Sequence, residues 1–193
     1  MSAEQHLAAV LASLGYDTDP ECEQTPARLL EVLRAYAPGR PPPGLECFPA
    51  PGQDLVVLRA LPFHSLCAHH LLPFFGDADV AYRPSERVAG LGAIARALRH
   101  FARKPQLQER LGAELAAHLH DTLGAPVGVR LRARQMCMEM RGVESAGTVE
   151  ILNYASNCGC LSAVLKGSRT LNAGDEREVD LTVHPSGRGD RSV

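Results

Sequence analysis

Several residue types and patterns are scarce in this sequence of 193 residues. It contains no tryptophan and only nine phenylalanines and tyrosines together, which argues against base stacking as its main mode of recognition. The formal net charge is −2, with acidic and basic residues mixed, so no charged surface for nucleic acid or for a membrane stands out. The sequence also lacks an apolar run long enough to span a bilayer. A soluble protein that binds neither nucleic acid nor membrane is the expectation.

The N-terminus does not show the charged and then apolar layout of a secretory signal peptide. A cytoplasmic location is therefore the simplest expectation. In a reducing compartment, cysteines pack as small apolar residues or bind metal more often than they form disulfides. The chain has six of them, namely Cys22, Cys47, Cys67, Cys137, Cys158 and Cys160. For Cys158 and Cys160, which are two residues apart, we favour packing over metal binding.

The length of the chain predicts one compact domain with a substantial core. We divide the chain into an N-terminal helical segment (1–40), a loop rich in proline and glycine (41–53), a catalytic domain (54–185) and a disordered tail (186–193). The pattern of elements predicts an α+β fold in which strands flank a central pair of helices.

Helical spacing of apolar residues and capping signals predict four helices. They are 4–14, a helix capped by Thr25 with Pro26 in its first turn, Ala89–Arg103, and a helix that Pro105 opens and Gly124 ends. Alternation predicts strands at Asp54–Ala60, Asp77–Tyr82, Val127–Ala133 and Thr148–Tyr154, the last two antiparallel. Residues 38–51 are predicted to be a connecting loop, and residues 161–183 to form one or two strands.

The segment Cys67-Ala68-His69-His70 combines a thiol with two imidazoles. A cysteine and a histidine three residues apart can reach one metal ion from a single tight turn. Cys137 is a candidate third ligand because it follows a predicted strand, on the side of Val127 and Leu131 if that strand stays regular. Three ligands are typical of an open, catalytic zinc site. On spacing alone, packed cysteines and surface histidines remain the commoner explanation.

Several motifs, taken in order, resemble those of the GTP cyclohydrolase I family. The first is Phe63-His64-Ser65-Leu66-Cys67-Ala68-His69-His70-Leu71-Leu72-Pro73-Phe74, which resembles the zinc loop of that family. The others are Asp19-Pro20 with Thr25-Pro26-Ala27-Arg28, Gly90-Leu91 followed by Arg96, Pro105-Gln106-Leu107-Gln108-Glu109-Arg110-Leu111, and Cys137-Met138-Glu139-Met140-Arg141-Gly142-Val143. The resemblance covers about residues 4 to 154, and the sequence from Cys158 onward departs from the family's usual ending.

The resemblance implies that Cys67, His70 and Cys137 bind Zn²⁺, with the fourth position left for the water that attacks C8 of guanine. It implies that His69 is the catalytic histidine that passes a proton to the imidazole nitrogen as the ring opens. The implied reaction converts GTP and water into 7,8-dihydroneopterin triphosphate and formate.

The resemblance also assigns the residues that bind substrate. Gln108 and Glu109 match the pair that reads guanine, and a carboxylate suits this role because it can accept from N1–H and the exocyclic amine together. Arg28, Arg96 and Arg141 match positions that hold the triphosphate. Taken singly, each arginine is better explained as a solvated surface residue, and Glu109 as a complement to a helix dipole; only the ordered set of motifs favours the substrate-binding roles.

The family implies a quaternary structure as well. Its tunnelling fold (T-fold) joins antiparallel sheets from several subunits into a barrel, and its members form a decamer of two pentamers with active sites at subunit boundaries. A homo-oligomer of this kind is therefore expected on the resemblance alone.

Four residues depart from the family pattern within the site. Ala68 replaces a glutamate, Gly92-Ala93 replaces Ser-Lys, and Gln135 replaces a second catalytic histidine. An amide can hold an intermediate but does not titrate near pH 7, so later proton transfers lose a general acid–base. We therefore also consider a divergent paralogue that stops at a formamidopyrimidine or acts on another guanine nucleotide.

Two further alternatives remain open. A non-catalytic, nucleotide-binding regulatory subunit would explain the loss of the histidine at Gln135, although it gives no reason to keep an open metal site, and a ring-opening assay would test it. The nitrile reductase branch of the same superfold uses a cysteine nucleophile and NADPH, and the distal Cys137 fits it poorly.

Overall fold

The protein folds as a mixed structure of helices and mainly antiparallel sheet, as the sequence predicts. The computed structural model describes residues 1–52, 54–142, 148–155, 161–165 and 179–183. The tail predicted at 186–193 and the residues Cys158 and Cys160 lie outside the described residues. None of the described helices is long and apolar enough to cross a membrane.

A five-stranded sheet forms the centre of the domain. Its strands are β2 (Val56–Cys67), β3 (Pro73–Tyr82), β5 (Pro105–Gln106), β6 (Val127–Gln135) and β7 (Val149–Ala155), in the spatial order β5-β2-β3-β6-β7. The pairs β2–β3, β3–β6 and β6–β7 are antiparallel, and β5 runs parallel to β2. Two smaller sheets pair β1 (Cys47–Pro49) with β4 (Arg87–Ala89), and β8 (Leu161–Leu165) with β9 (Val179–Val183).

Two helices cover one face of the sheet and enclose the core. In α3 (Leu91–Ala102) the buried residues include Ile94 and Leu98, and in α4 (Gln108–Leu123) they include Leu111, Leu115 and Leu119. These side chains recur every three or four residues, so each helix presents one apolar stripe to the sheet. The inward-facing residues of β6 alternate with half-buried ones.

The other face of the sheet carries a set of ion pairs between β3 and β6. Arg130 binds the carboxylate of Asp79, and Arg132 donates to Asp77 over 2.9 Å. Asp79 also accepts from the backbone N–H of Ala60, where the register of β2 shifts. The two pairs Asp77–Arg132 and Asp79–Arg130 lie directly opposite each other in these strands. Their opposite charges favour the pairing of β3 with β6.

The N-terminal helices α1 (Ala3–Ser13) and α2 (Thr25–Ala35) contact each other, and neither contains a buried residue. Ser2 caps α1 through a capping box with Gln5, a device that satisfies two otherwise free backbone N–H groups. In the single chain this helical pair therefore lies on the surface.

Short elements differ from the sequence predictions. Thr25 is the first residue of α2 and not its cap, and Pro105 begins a two-residue strand, so that α4 starts only at Gln108. The segment predicted as a loop contains β1, which pairs with β4. β2 and β3 extend to meet in a hairpin because their residues pair up to Leu66 and Pro73. Strand pairing, which local patterns do not reveal, causes the differences at β1, β2, β3 and β5, whereas the start of α2 at Thr25 is a shift of one residue at a helix end.

Candidate functional site

Three segments meet at one end of the central sheet. The turn between β2 and β3 carries Cys67 and His70, and β6 ends close by because Gln135 lies opposite Phe74 of β3. The strand β5 places Gln106 beside Cys67, and α4 begins two residues later. The topology thus gathers residues separated by about seventy positions of the chain into one place.

The β2–β3 turn is held in a defined shape by backbone hydrogen bonds. The N–H of Cys67 donates to the carbonyl of Leu72 over 2.8 Å, and the N–H of Ala68 donates to the carbonyl of Gln106 over 2.9 Å. Leu71 adopts a left-handed conformation with φ of 54°, which is unfavourable for a residue with a side chain. The turn brings the Cys67 Sγ to 3.7 Å from Nδ1 of His70 and to 4.0 Å from Nδ1 of His69.

Cys137 completes a cluster with Cys67 and His70. It lies on α5 (Met136–Glu139), a single helical turn directly after β6, so the strand does not stay regular as far as Cys137. The turn forms because β6 stops pairing at Gln135, and it directs the thiol toward the hairpin. The ligand atoms of Cys67, His70 and Cys137 all lie within 4.8 Å of one another.

The donor set of this cluster fits zinc. Two thiols and one imidazole are typical ligands for Zn²⁺, and three protein ligands leave one position open. Tetrahedral zinc with usual bond lengths places sulfur and nitrogen ligands about 3.6 Å apart, close to the 3.7 Å between Cys67 Sγ and His70 Nδ1. Only small side-chain adjustments are needed to hold an ion.

The surroundings of the cluster differ from one ligand to the next. Cys67 and Cys137 are buried, with 6% and 9% of their surface exposed, whereas His70 is exposed. Burial is the main cause that raises the pKa of the Cys137 thiol, and the neighbouring Cys67 adds to it. Nη1 of Arg141 lies 2.9 Å from Nε2 of His70, while Nδ1 of that ring faces Cys67.

A cavity of about 420 Å³ opens over the cluster. Among the residues predicted from the sequence, it is lined by Cys67, His69, His70, Gln108, Glu109, Gln135, Cys137 and Arg141. The volume lies within the range of small-molecule sites. Glu109 is exposed in the first turn of α4, so its carboxylate is available to a ligand in the cavity.

Gln108 and Gln135 form a hydrogen-bonded pair in the wall of this cavity. Nε2 of Gln135 donates to Oε1 of Gln108 over 2.7 Å. Nε2 of Gln108 donates to the carbonyls of Leu131 and Val149 over 3.0 and 2.8 Å. Gln108 is only 4% exposed.

Arg28 and Arg96 do not line this cavity. Arg28 lies on the surface helix α2. Arg96 lies on α3, 3.7 Å from a carboxylate oxygen of Glu46, and borders a second cavity of about 750 Å³. The basic residues around that cavity are Arg40, Arg96, Arg99, Arg103 and Lys104. In one copy of the chain, therefore, the predicted phosphate-binding arginines fall into separate places.

Sequence reasoning missed four residues that line the cavity over the Cys67–His70–Cys137 cluster (hereafter the metal cavity, after its candidate ligands), namely Gln106, Leu107, Met138 and Val149. Gln106 is fully buried, and its amide nitrogen donates to Glu114 over 2.8 Å while its oxygen accepts from Arg110. Gln106, Leu107 and Met138 stand beside predicted site residues in the motifs. The position of Gln106 and Leu107 in the wall depends on the β2–β5 pairing, which carries no signal in the sequence, whereas Met138 is placed there by α5.

The sequence matches the family model of GTP cyclohydrolase I over residues 3–158. It is 38% identical over 158 residues to GTP cyclohydrolase 1 of Streptococcus sanguinis (strain SK36), a match that covers 79% of this chain and 86% of that protein. It is 37% identical, with the same coverage, to GTP cyclohydrolase 1 of Streptococcus pneumoniae serotype 19F (strain G54).

Among solved structures, the chain is similar to the archaeosine synthase QueF-Like in its apo form. The similarity has a TM-score of 0.44 and a sequence identity of 17%, and it covers 54% of this chain and 95% of that chain.

Proposed function

Because the chain belongs to the GTP cyclohydrolase I family and is a hydrolase of that type, we propose that it binds zinc through Cys67, His70 and Cys137 and hydrolyses the imidazole ring of GTP at C8. One observation carries this proposal. The candidate ligand atoms of these three residues lie within 4.8 Å of one another, and the cavity that the residues line also includes the exposed Glu109.

The residues of the cavity have distinct roles in this proposal. The chemistry that zinc supplies when bound is Lewis acidity, which makes hydroxide available near neutral pH. His69 lies at the edge of the cluster, exposed to the cavity, and can pass a proton to a ring nitrogen of guanine as the C8–N bond opens. Glu109 accepts from N1–H and the exocyclic amine, which distinguishes guanine from adenine.

Arg141 reaches the cavity from the residues after α5 and contributes a guanidinium that suits phosphate oxygens. Arg28 and Arg96 would contribute from other copies of the chain. We therefore propose the T-fold assembly of the family, a decamer of two pentamers with sites between subunits. In one chain Arg28 and Arg96 do not line the cavity that Arg141 lines, which supports this arrangement.

The residue Gln135 favours a second outcome, in which the reaction stops after the ring has opened. Its amide is neutral over the working pH range and already donates to Gln108, so it cannot transfer protons in the steps that follow ring opening. A chain that opens the ring and then stalls would release a formamidopyrimidine nucleotide. The alternative substrate, a guanine nucleotide with fewer phosphates, follows from the absence of a lysine at Ala93.

The experiment that tests these proposals is mass spectrometry of the product formed from GTP by zinc-loaded protein, together with a measurement of formate. Dihydroneopterin triphosphate with one formate per GTP supports the complete reaction. A formamidopyrimidine without formate supports the stalled reaction. If GTP remains unchanged, and GDP and GMP supplied in its place also remain unchanged, the proposed function is contradicted.

A further inference from the structure

We propose that Gln108 is a positioning residue that fixes the side-chain amide of Gln135 in one orientation, so that Gln135 presents a hydrogen-bond acceptor to the metal cavity. The consequences for catalysis rest on the proposed function. The orientation itself rests only on the hydrogen bonds of the described residues.

The orientation of Gln108 is determined by its backbone partners. Its two amide hydrogens point to two carbonyl oxygens, one on β6 at Leu131 and one on β7 at Val149. If its oxygen and nitrogen were exchanged, Oε1 would face both carbonyl oxygens, and three hydrogen-bond acceptors would meet without a donor. Because the side chain is 4% exposed, water cannot readily compensate for such an exchange. Nε2 of Gln108 must therefore face the sheet.

This orientation determines that of Gln135. Oε1 of Gln108 can only accept, so the group that lies 2.7 Å from it must donate, and that group is Nε2 of Gln135. Oε1 of Gln135 is then directed away from Gln108, at 4.0 Å from Sγ of Cys137. The acceptor oxygen thus lies next to a candidate metal ligand and the cavity above it.

A neutral histidine at position 135 could satisfy Gln108 in the same way. It would donate one ring N–H to Oε1 of Gln108 and present the lone pair of the other nitrogen to the cavity. Gln135 therefore retains the donor-and-acceptor polarity that Gln108 requires, although it cannot take up a proton. The same network leaves Gln108 without a free N–H for a ligand, so that guanine recognition falls to Glu109.

The first test uses the side-chain amide signals of ¹⁵N-glutamine-labelled, deuterated, metal-free protein. The chain has only six glutamines, which makes assignment practicable. In Gln108→Met we expect the amide hydrogens of Gln135 to exchange with solvent about as fast as those of exposed Gln24, while the buried Gln106 amide, which has other partners, stays unchanged. A Gln135 signal that is the same as in the wild type would overturn the proposal.

The reciprocal variant covers the case in which Gln108→Met fails to fold. In Gln135→Met the two bonds from Gln108 to the carbonyls remain, so its amide hydrogens should stay protected from exchange. If they exchange as fast as those of Gln24, the carbonyls do not fix Gln108 and the proposal is wrong.

The second test is kinetic and uses GTP as substrate. If Gln108 acts through Gln135, Gln108→Met should lower kcat by about 10- to 100-fold with little change in KM. The double variant Gln108→Met/Gln135→Met should then have a kcat no lower than that of Gln135→Met alone. A rise in KM in Gln108→Met that adds to the loss in Gln135→Met would show that Gln108 contacts guanine directly and would overturn the proposal. If wild-type protein turns over none of GTP, GDP and GMP, the proposed function fails, and the exchange measurement still decides the orientation.

Discussion

At the scale of single residues, the candidate metal centre consists of the side chains of Cys67, His70 and Cys137, which a bound ion would stabilise. Cys67 and Cys137 place two sulfur atoms near each other in a mostly buried setting, where burial raises the pKa of the Cys137 thiol. A divalent cation reverses this, because it favours thiolates. The three residues are therefore well suited to hold a divalent cation.

We expect Cys137→Ser to remove most of the bound zinc, because a hydroxyl is a much poorer zinc ligand than a thiolate. Elemental analysis of purified protein measures the metal content per chain. The matched control is Cys47→Ser, since Cys47 is half-buried on β1 and its thiol donates to the carbonyl of Leu45, away from the cluster. Equal zinc content in both variants would show that Cys137 is not a ligand.

The carboxylate of Glu109 is predicted to set the specificity for guanine. Glu109→Gln removes one acceptor and the charge, and hydrogen bonds to charged groups contribute about 1.5–3 kcal/mol. We therefore expect kcat/KM for GTP to fall by about 10- to 100-fold, with the larger part in KM. Steady-state kinetics measures this, with Glu31→Gln on the exposed side of α2 as the control. A similar small effect in both variants would contradict the role of Glu109.

At the scale of secondary-structure elements, the sequence predicts those elements whose pattern is local. Leu111, Leu115 and Leu119 recur at helical spacing and indeed form the buried stripe of α4. The strand β5 and the helical turn α5 are not predictable in this way, because they consist of two and four residues and depend on pairing with β2 and on the end of β6. The motifs indicate which residues belong to the site, while these short elements bring them together.

A close approach between β3 and β6 yields a prediction about stability. A Cβ atom at Gly76 would lie 1.9 Å from the carbonyl oxygen of Arg132, and backbone atoms within a sheet can move little. We expect Gly76→Ala to lower the free energy of unfolding by about 1–3 kcal/mol or more, measured by chemical denaturation. In the control Gly128→Ala, on β6, the added Cβ would meet only the carbonyl oxygen of Ala81 at 3.9 Å, and we expect almost no loss. Equal stability of both variants would contradict the close approach.

The ion pairs on the outer face of the sheet predict a dependence of stability on pH. Burial raises the pKa of Asp79, but the Ala60 N–H and the guanidinium groups of Arg130 and Arg132 outweigh it and hold that pKa below its ordinary value of 3.8. A carboxyl group with a lowered folded-state pKa stabilises the protein above its unfolded pKa, and this contribution is lost as pH falls through the folded value.

Asp79→Asn should therefore lower the unfolding midpoint at pH 7, and its difference from the wild type should shrink below about pH 4. Thermal unfolding measured between pH 7 and pH 3 tests this, with Asp54→Asn, an exposed carboxylate, as the control. A difference from the wild type that stays constant over this range would show that the charge of Asp79 is not responsible.

At the scale of the whole molecule, a single chain leaves several surfaces without a partner. The helices α1 and α2 bury no residue, and Arg96 borders a basic cavity that shares no residue with the metal cavity. Both features are explained if the working unit contains several copies of the chain. In such an assembly, the basic residues of one copy would approach the metal centre of another.

Subunit complementation tests this arrangement directly. Cys137→Ser removes the metal centre and keeps Arg96, whereas Arg96→Ala does the reverse, so each variant alone should turn over GTP poorly. If a site takes its metal centre from one copy and Arg96 from the next, random co-assembly of equal amounts should restore about a quarter of the wild-type activity. Co-expression with two different affinity tags, followed by tandem purification, selects the mixed oligomers. No recovery in mixed oligomers would mean that Arg96 serves no neighbouring site, whereas recovery would explain why Arg96 and the candidate metal ligands line different cavities in one chain.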